Sequence, residues 1–258
     1  MSTFLNASPI FGPVRSRRLG LSLGVNMMPA SGKICTFDCI YCENGLNAER
    51  PCHEPYNTAA VVLGALEAKL HEMAIEGELP DVITFAGNGE PTAAPKFPQA
   101  IADAVALRDE LAPNSKIAVL SNGTRADRPE VYDALMMVDD NILKLDTVDP
   151  DFIQLLDQPV GPYDVEHQIE TFASFDGHVI IQTIFLTGEY QGKSINNTSE
   201  EYVGPWLAAL ERIRPQEATI YTVARETPVS GLTKAAPEVL DAIAARVQAL
   251  GIPCQVSY

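Results

Sequence analysis

Three cysteines fall within eight residues, Cys35-Thr36-Phe37-Asp38-Cys39-Ile40-Tyr41-Cys42, with three and then two residues between them. Thiolates are soft ligands that favour iron–sulfur clusters, zinc or copper(I). A cubane cluster usually takes four thiolates, one per iron, so three leave one iron open to a substrate or cofactor. The chain has five cysteines, an odd number, and three packed this closely suit a metal better than a disulfide framework. Cys254 sits in a short apolar stretch and reads as a small buried hydrophobe. Cys52 is ambiguous: it or His53 could join Cys35, Cys39 and Cys42 in a four-ligand zinc site.

Other candidates lie where strand-like runs end. The run 81–86 leads into Gly87-Asn88-Gly89-Glu90-Pro91-Thr92. Gly87 and Gly89 permit a tight turn and close approach of backbone to a ligand, and Glu90 places a carboxylate beside it. Without a third glycine this is not a dinucleotide fingerprint. Ser121-Asn122-Gly123-Thr124 follows the run 116–121, a composition that also serves simple turns. In 142–146, Ile142, Lys144 and Asp146 share one face and Leu143 and Leu145 the other. The leucines suit outer helices, so Lys144 and Asp146 are expected to point inward, as a structural pair or as ligand contacts. The run 178–186 brings Gln182 or Thr183 inward, with Gln182 preferred. Arg225 follows the run 217–223 and either grips a carboxylate or phosphate or faces solvent. The four histidines form no pair at metal-ligand spacing, and there is no nucleophile elbow or P-loop.

The elements that position these residues alternate. Strands are expected over 19–25, 81–86, 116–121, 142–146, 178–186 and 217–223, with a short last one over 253–257. Helices are expected from a cap at Asn57 or Thr58 to a stop at Gly77, then over 98–111, 129–138, 164–175, 199–214 and 237–250, with a short helical insertion over 150–156. Six strand–helix units imply a parallel α/β sheet with right-handed crossovers. They curl into a partial barrel or form a flavodoxin-like doubly wound sheet, and either puts function at the carboxyl ends of the strands. The polar stretch 187–200 is a lid or an ordinary connection.

The CxxxCxxC loop with an aromatic residue before its last cysteine resembles the signature of radical S-adenosylmethionine (SAM) enzymes. Gly87-Asn88-Gly89-Glu90-Pro91 resembles their Gly-Gly-Glu segment with Asn88 inserted, about one strand–helix unit further on. The stretch 12–20 also resembles a short branch described as predicted iron–sulfur oxidoreductases. The resemblance implies a partial (β/α)6 TIM-like barrel, the radical SAM core, as a single domain over 19–258 with residues 1–18 as an arm. It implies that Cys35, Cys39 and Cys42 hold a [4Fe–4S] cluster. Tyr41, Gly87, Gly89, Glu90, Ser121, Asn122, Lys144, Asp146 and Gln182 would bind SAM, Glu90 taking its amino group. The reduced cluster would then cleave SAM to methionine and a 5′-deoxyadenosyl radical, which removes hydrogen from a substrate that the sequence does not identify. A low-potential donor such as flavodoxin or ferredoxin is implied. A glycyl-radical enzyme activase and an RNA- or peptide-modifying enzyme are alternatives within this chemistry; a zinc-binding structural or interaction protein is the alternative outside it.

Composition narrows the partners. The chain has 258 residues, with 34 acidic against 18 basic, a net charge of −16. That balance argues against an extensive nucleic-acid interface; Arg15, Arg17 and Arg18 form its one conspicuous basic cluster. No apolar run reaches the roughly 18–20 residues of a membrane span, and the first residues lack the features of a signal peptide. A cytoplasmic protein without membrane association is expected.

Overall fold

The computed structural model describes residues 3–16 and 18–258. Arg17 lies outside the described residues. The chain gathers into two compact units. One comprises Leu5–Thr36 and Asn47–Asn141; the other comprises the stretch ending at Phe4, Phe37–Leu46 and Ile142–Tyr258.

The first unit opens on a hairpin of β1 (Ile10–Ser16) and β2 (Gly20–Val25), paired antiparallel with an irregularity between Phe11 and Val14. In β1, Ile-Phe-Gly-Pro-Val-Arg-Ser shows no alternation, so its sequence predicts an arm and not a strand. Its packing comes from the partner strand: a Cβ on Gly24 would lie 2.1 Å from the ring of Phe11, so the glycine makes room for the aromatic residue opposite it. Helix α1 (Ala59–Glu76) follows. The Thr58 hydroxyl accepts the Val61 N–H at its start, Gly77 ends it at φ +83°, and Val62, Leu66, Leu70 and Met73 are its buried stripe. Next come β3 (Val82–Phe85), α2 (Phe97–Leu111), β4 (Lys116–Ser121) and α3 (Pro129–Met136). The β2–β3 and β3–β4 pairs are parallel. All four residues of β3 are buried, as in a parallel sheet covered on both faces.

Strand β5 (Asp140–Lys144) carries the chain into the second unit, followed by α4 (Pro150–Leu156), α5 (Val165–Ala173) and β6 (Ile180–Ile184). Then β7 (Leu186–Tyr190), β8 (Lys193–Asn196), α6 (Glu200–Ile213), β9 (Glu217–Tyr221), β10 (Leu232–Lys234), α7 (Pro237–Ala249) and β11 (Cys254–Ser257) complete it. The β5–β6, β6–β9 and β9–β11 pairs are parallel.

The stretch 187–200 is not a bare loop. Strands β7 and β8 form a hairpin turning at Gln191 and Gly192, at φ +53° and +73°, and β10 adds to β7, all antiparallel. Positive φ at both turn residues matches the twist of a two-residue hairpin. Leu186 and Ile195 anchor this sheet in a cluster with Ile40, Phe152, Leu156 and Ile184. Among the described residues no helix is long and apolar enough to cross a membrane.

Candidate functional site

In the first unit the stretch before Cys35 is tied to the turn after β3. Ile34 donates its N–H to the Asn88 carbonyl and accepts the N–H of Glu90 at its own carbonyl, both at 3.0 Å. The approach at Gly89 requires glycine: at φ +137°, a Cβ there would stand 1.8 Å from the Ile34 carbonyl oxygen. Gly87, at φ +126°, faces the Asn26 side chain, whose Oδ1 would lie 2.5 Å from a Cβ there.

Asn88 is fully occupied within the fold. Its amide N–H donates to the carbonyls of Asn6 and Pro29, and its oxygen accepts the backbone N–H of Asn6 at 2.7 Å. The residue that interrupts the Gly-Gly-Glu pattern therefore fastens the segment before β1.

Glu90 is 2% exposed. Its Oε1 accepts the Thr92 N–H, the Thr92 hydroxyl and the Ser121 hydroxyl; its Oε2 accepts the Asn122 N–H at 2.7 Å. Burial raises its pKa against the lowering effect of these hydrogen bonds. A carboxylate has about four lone-pair sites, so Oε2 keeps capacity for another donor. Ser121 turns back to accept the Gly123 N–H. Asn122 donates to the Thr36 hydroxyl at 2.9 Å and lies 3.8 Å from Cys35 Sγ, while its oxygen accepts the N–H and hydroxyl of Thr124.

In the second unit Cys39, Tyr41 and Cys42 lie on a loop held by the end of α4. Asp38 donates its N–H to the carbonyls of Asp157 and Gln158, and Ile40 donates to that of Leu156, all at 3.0 Å. The last carbonyls of a helix lack internal partners, and here the cysteine loop supplies them.

Above this loop is a buried polar knot. Lys144 Nζ lies 3.1 Å from Cys39 Sγ, 2.8 Å from the Tyr41 hydroxyl and 3.1 Å from Asp146, and it pairs directly with Asp157. The Tyr41 hydroxyl donates to Asp146, which also accepts the Ile184 N–H at 3.0 Å. The Lys144 side chain is 14% exposed and that of Asp146 0%. Burial would strip the charge from Lys144, but Asp146, Asp157 and Cys39 outweigh it and hold the ammonium well above the ordinary lysine range. Burial, then Asp146, then Cys39, raise the Tyr41 phenol, which remains a donor. Burial pushes the Asp157 carboxyl up, Lys144 pulling against it and Asp146 adding to it.

Lys144 and Asp146 thus reach the cysteine loop, while Leu143 and Leu145 are buried and the Leu145 carbonyl accepts the Trp206 indole N–H from α6. Thr183 also meets Trp206, so alternation puts Gln182 on the other face of β6. Asp157 and Tyr163, whose ring packs edge-on to Phe37, were missing from the sequence reading. An Asp just after a helix reads only as its terminator. Arg225 pairs with Glu43 and stands over the Phe4 ring, and Arg15 pairs with Glu78 in solvent.

The donor chemistry fits an iron–sulfur cluster. The five cysteines form no disulfide, Cys35, Cys39 and Cys42 are all partly buried, and N–H donors stand beside two of their sulfurs. Among the described residues no three His, Cys, Asp or Glu side chains are gathered as a site for one ion. Cys52 Sγ lies beside the Ser31 hydroxyl and the Glu54 carbonyl.

Residues 31–189 match the model of the radical SAM superfamily, and the chain belongs to that superfamily, a class of enzymes. It is 29% identical over 229 residues to a protein named GTPase Obg from Brachyspira hyodysenteriae, covering 86% of this chain but only 31% of that one. It is 29% identical to the UPF0026 protein slr1464 from Synechocystis, covering 85% of this chain and 77% of the relative. Among solved structures, a radical SAM methyltransferase from Sphaerobacter thermophilus superposes with a TM-score of 0.66 at 17% identity, over 92% of this chain and 66% of that one. The fold is the partial TIM-like barrel of the radical SAM core.

Proposed function

We propose that Cys35, Cys39 and Cys42 hold a [4Fe–4S] cluster and that the chain cleaves SAM, with residues 19–258 acting as one catalytic domain and 1–18 as its arm. When bound, the cluster supplies an electron that splits SAM into methionine and a 5′-deoxyadenosyl radical able to take hydrogen from a substrate. The observation that carries this reading is the pair of hydrogen bonds between Ile34 and the turn 88–90, which sets the first thiol beside the Gly-Asn-Gly-Glu segment.

Each group then has a task. Gly87 and Gly89 let the backbone turn closely enough for Glu90 to be held. Glu90, fixed by Thr92, Ser121 and Asn122, presents the remaining capacity of Oε2 to the amino group of SAM. Asn122 and Lys144 donate toward the sulfurs of Cys35 and Cys39, and Tyr41, Asp146 and Gln182 supply polar contacts on the SAM side. Cys52 is no ligand. A low-potential donor of the flavodoxin or ferredoxin kind reduces the protein, which works in the cytoplasm without a nucleic-acid or membrane partner.

The test is anaerobic reconstitution, reduction with dithionite and addition of SAM. Release of 5′-deoxyadenosine and methionine supports the reading. Binding of one zinc ion, with Cys52 required and no 5′-deoxyadenosine formed, defeats it.

A further inference from the structure

The knot around Lys144 does more than fill space. A lysine this deeply enclosed is costly unless its charge is paired, and here two carboxylates hold it. Those two acids satisfy its charge without help from a sulfur. Yet the ammonium also stands 3.1 Å from Cys39 Sγ and donates toward it. Tyr41, two residues beyond Cys39, accepts from the same ammonium and donates to Asp146, so the ammonium cannot swing away without breaking the knot.

We propose that Lys144 is a positioning residue whose fixed ammonium donates a hydrogen bond to the Cys39 thiolate and so makes an iron–sulfur group held by that thiolate easier to reduce. This rests on the cluster assignment above. Reduction adds one electron, supplied by a low-potential donor, and with it one negative charge. A cation held against a ligand sulfur stabilises the more negative state, and the low dielectric of a buried site strengthens the effect. Hydrogen bonds to sulfur are among the factors that set cluster potentials. Asp157 works in the opposite direction: its carboxylate draws on the same ammonium and adds negative charge nearby.

A merely structural ion cluster predicts no ordered change in potential; this assignment predicts shifts of opposite sign. Wild type, Lys144→Met, Lys144→Arg and Asp157→Asn are reconstituted anaerobically as full chains. Each is assayed for iron and sulfide, then titrated with dithionite without SAM and followed by electron paramagnetic resonance. Lys144→Met is expected to keep its iron and to have a lower midpoint potential. Lys144→Arg should lie nearer wild type, and Asp157→Asn should be shifted upward. An unchanged potential in a fully loaded Lys144→Met protein overturns the inference. If Lys144→Met fails to fold or load, Asp157→Asn decides, and an unchanged or lowered potential there overturns it equally. A wild-type protein that takes up no iron defeats the cluster assignment itself, and this inference with it.

Discussion

Glu90 Oε2 accepts the backbone N–H of Asn122 at 2.7 Å, so the turn after β3 and the end of β4 are fastened through one buried carboxylate. Replacing it with alanine leaves that N–H and the hydroxyls of Ser121 and Thr92 without their acceptor. An unmet buried donor costs about 1–3 kcal/mol. Glu90→Ala should therefore lower the unfolding free energy of the metal-free protein, read from a urea titration, by an amount in that range. After reconstitution it should keep its iron and bind SAM roughly ten- to a hundred-fold more weakly, since a hydrogen bond to a charged group is worth about 1.5–3 kcal/mol. Unaltered SAM affinity would remove Glu90 from the binding site and leave it a structural clamp.

Gly89 and Gly64 make a matched pair. Gly89 has no room for a methyl group, whereas a Cβ on Gly64, inside α1, meets nothing within 4 Å. Gly89→Ala should cost more than about 1 kcal/mol and, by displacing Ile34, lower the iron taken up per chain. Gly64→Ala should gain about 0.5–1 kcal/mol with full iron. Equal behaviour of the two variants in urea would show that the Gly89–Ile34 contact constrains nothing.

Reconstitution should yield about four irons and four sulfides per chain, as a cubane requires. Alanine at Cys35, Cys39 or Cys42 should abolish the visible absorption of the cluster. Alanine at Cys52 or Cys254 should leave it intact. Retention of a full cluster in Cys42→Ala would rule out the three-thiol assignment.

Cys254 supplies a pH test far from the motifs. Burial, with the nearby Glu217 charge, raises its thiol from 9.0 to about 11. The folded chain thus keeps a proton that the unfolded chain loses between about pH 9 and 11. That contribution to stability is intact below pH 9 and falls as pH rises through this window. Near pH 9, alkylation of Cys254 in the native protein should be roughly fifty-fold slower than in urea, because thiolate is the reactive form. Mass spectrometry of the Cys254 peptide reads this directly, and equal rates in the two states contradict the burial argument.

The helices and the parallel strands were legible because their patterns are local: a Thr58 cap, a Gly77 stop and a stripe at i, i+4 and i+8 suffice for α1. The cysteine loop and the turn through Glu90 were legible because their chemistry is written in adjacent residues. What escaped depends on partners that the local pattern does not name. Strand β1 exists through its pairing with β2, and its own Gly12, Pro13 and Arg15 argue for a loop. The β7–β8 hairpin is polar on most of its surface, with apolar Leu186 and Ile195 too few to set a period. Asp157 acquires its meaning only from Lys144, thirteen residues earlier, and Asn88 only from Asn6.

The hairpin of β1 on β2 has a consequence for how copies of this chain behave in company. A strand such as β2, buried from Leu21 to Val25, would be a template for strand addition by any neighbouring molecule if its outer edge were bare. β1 occupies that side. It is itself a poor template, since Pro13 has no N–H to offer, the register breaks between Phe11 and Val14, and Arg15 places a charge on the rim. A chain shortened to begin after Ser16 should therefore associate with itself where the longer chain stays dispersed. Light scattering during refolding at matched concentrations would register the difference, so this short strand protects solubility at a position where the sequence shows only an irregular arm.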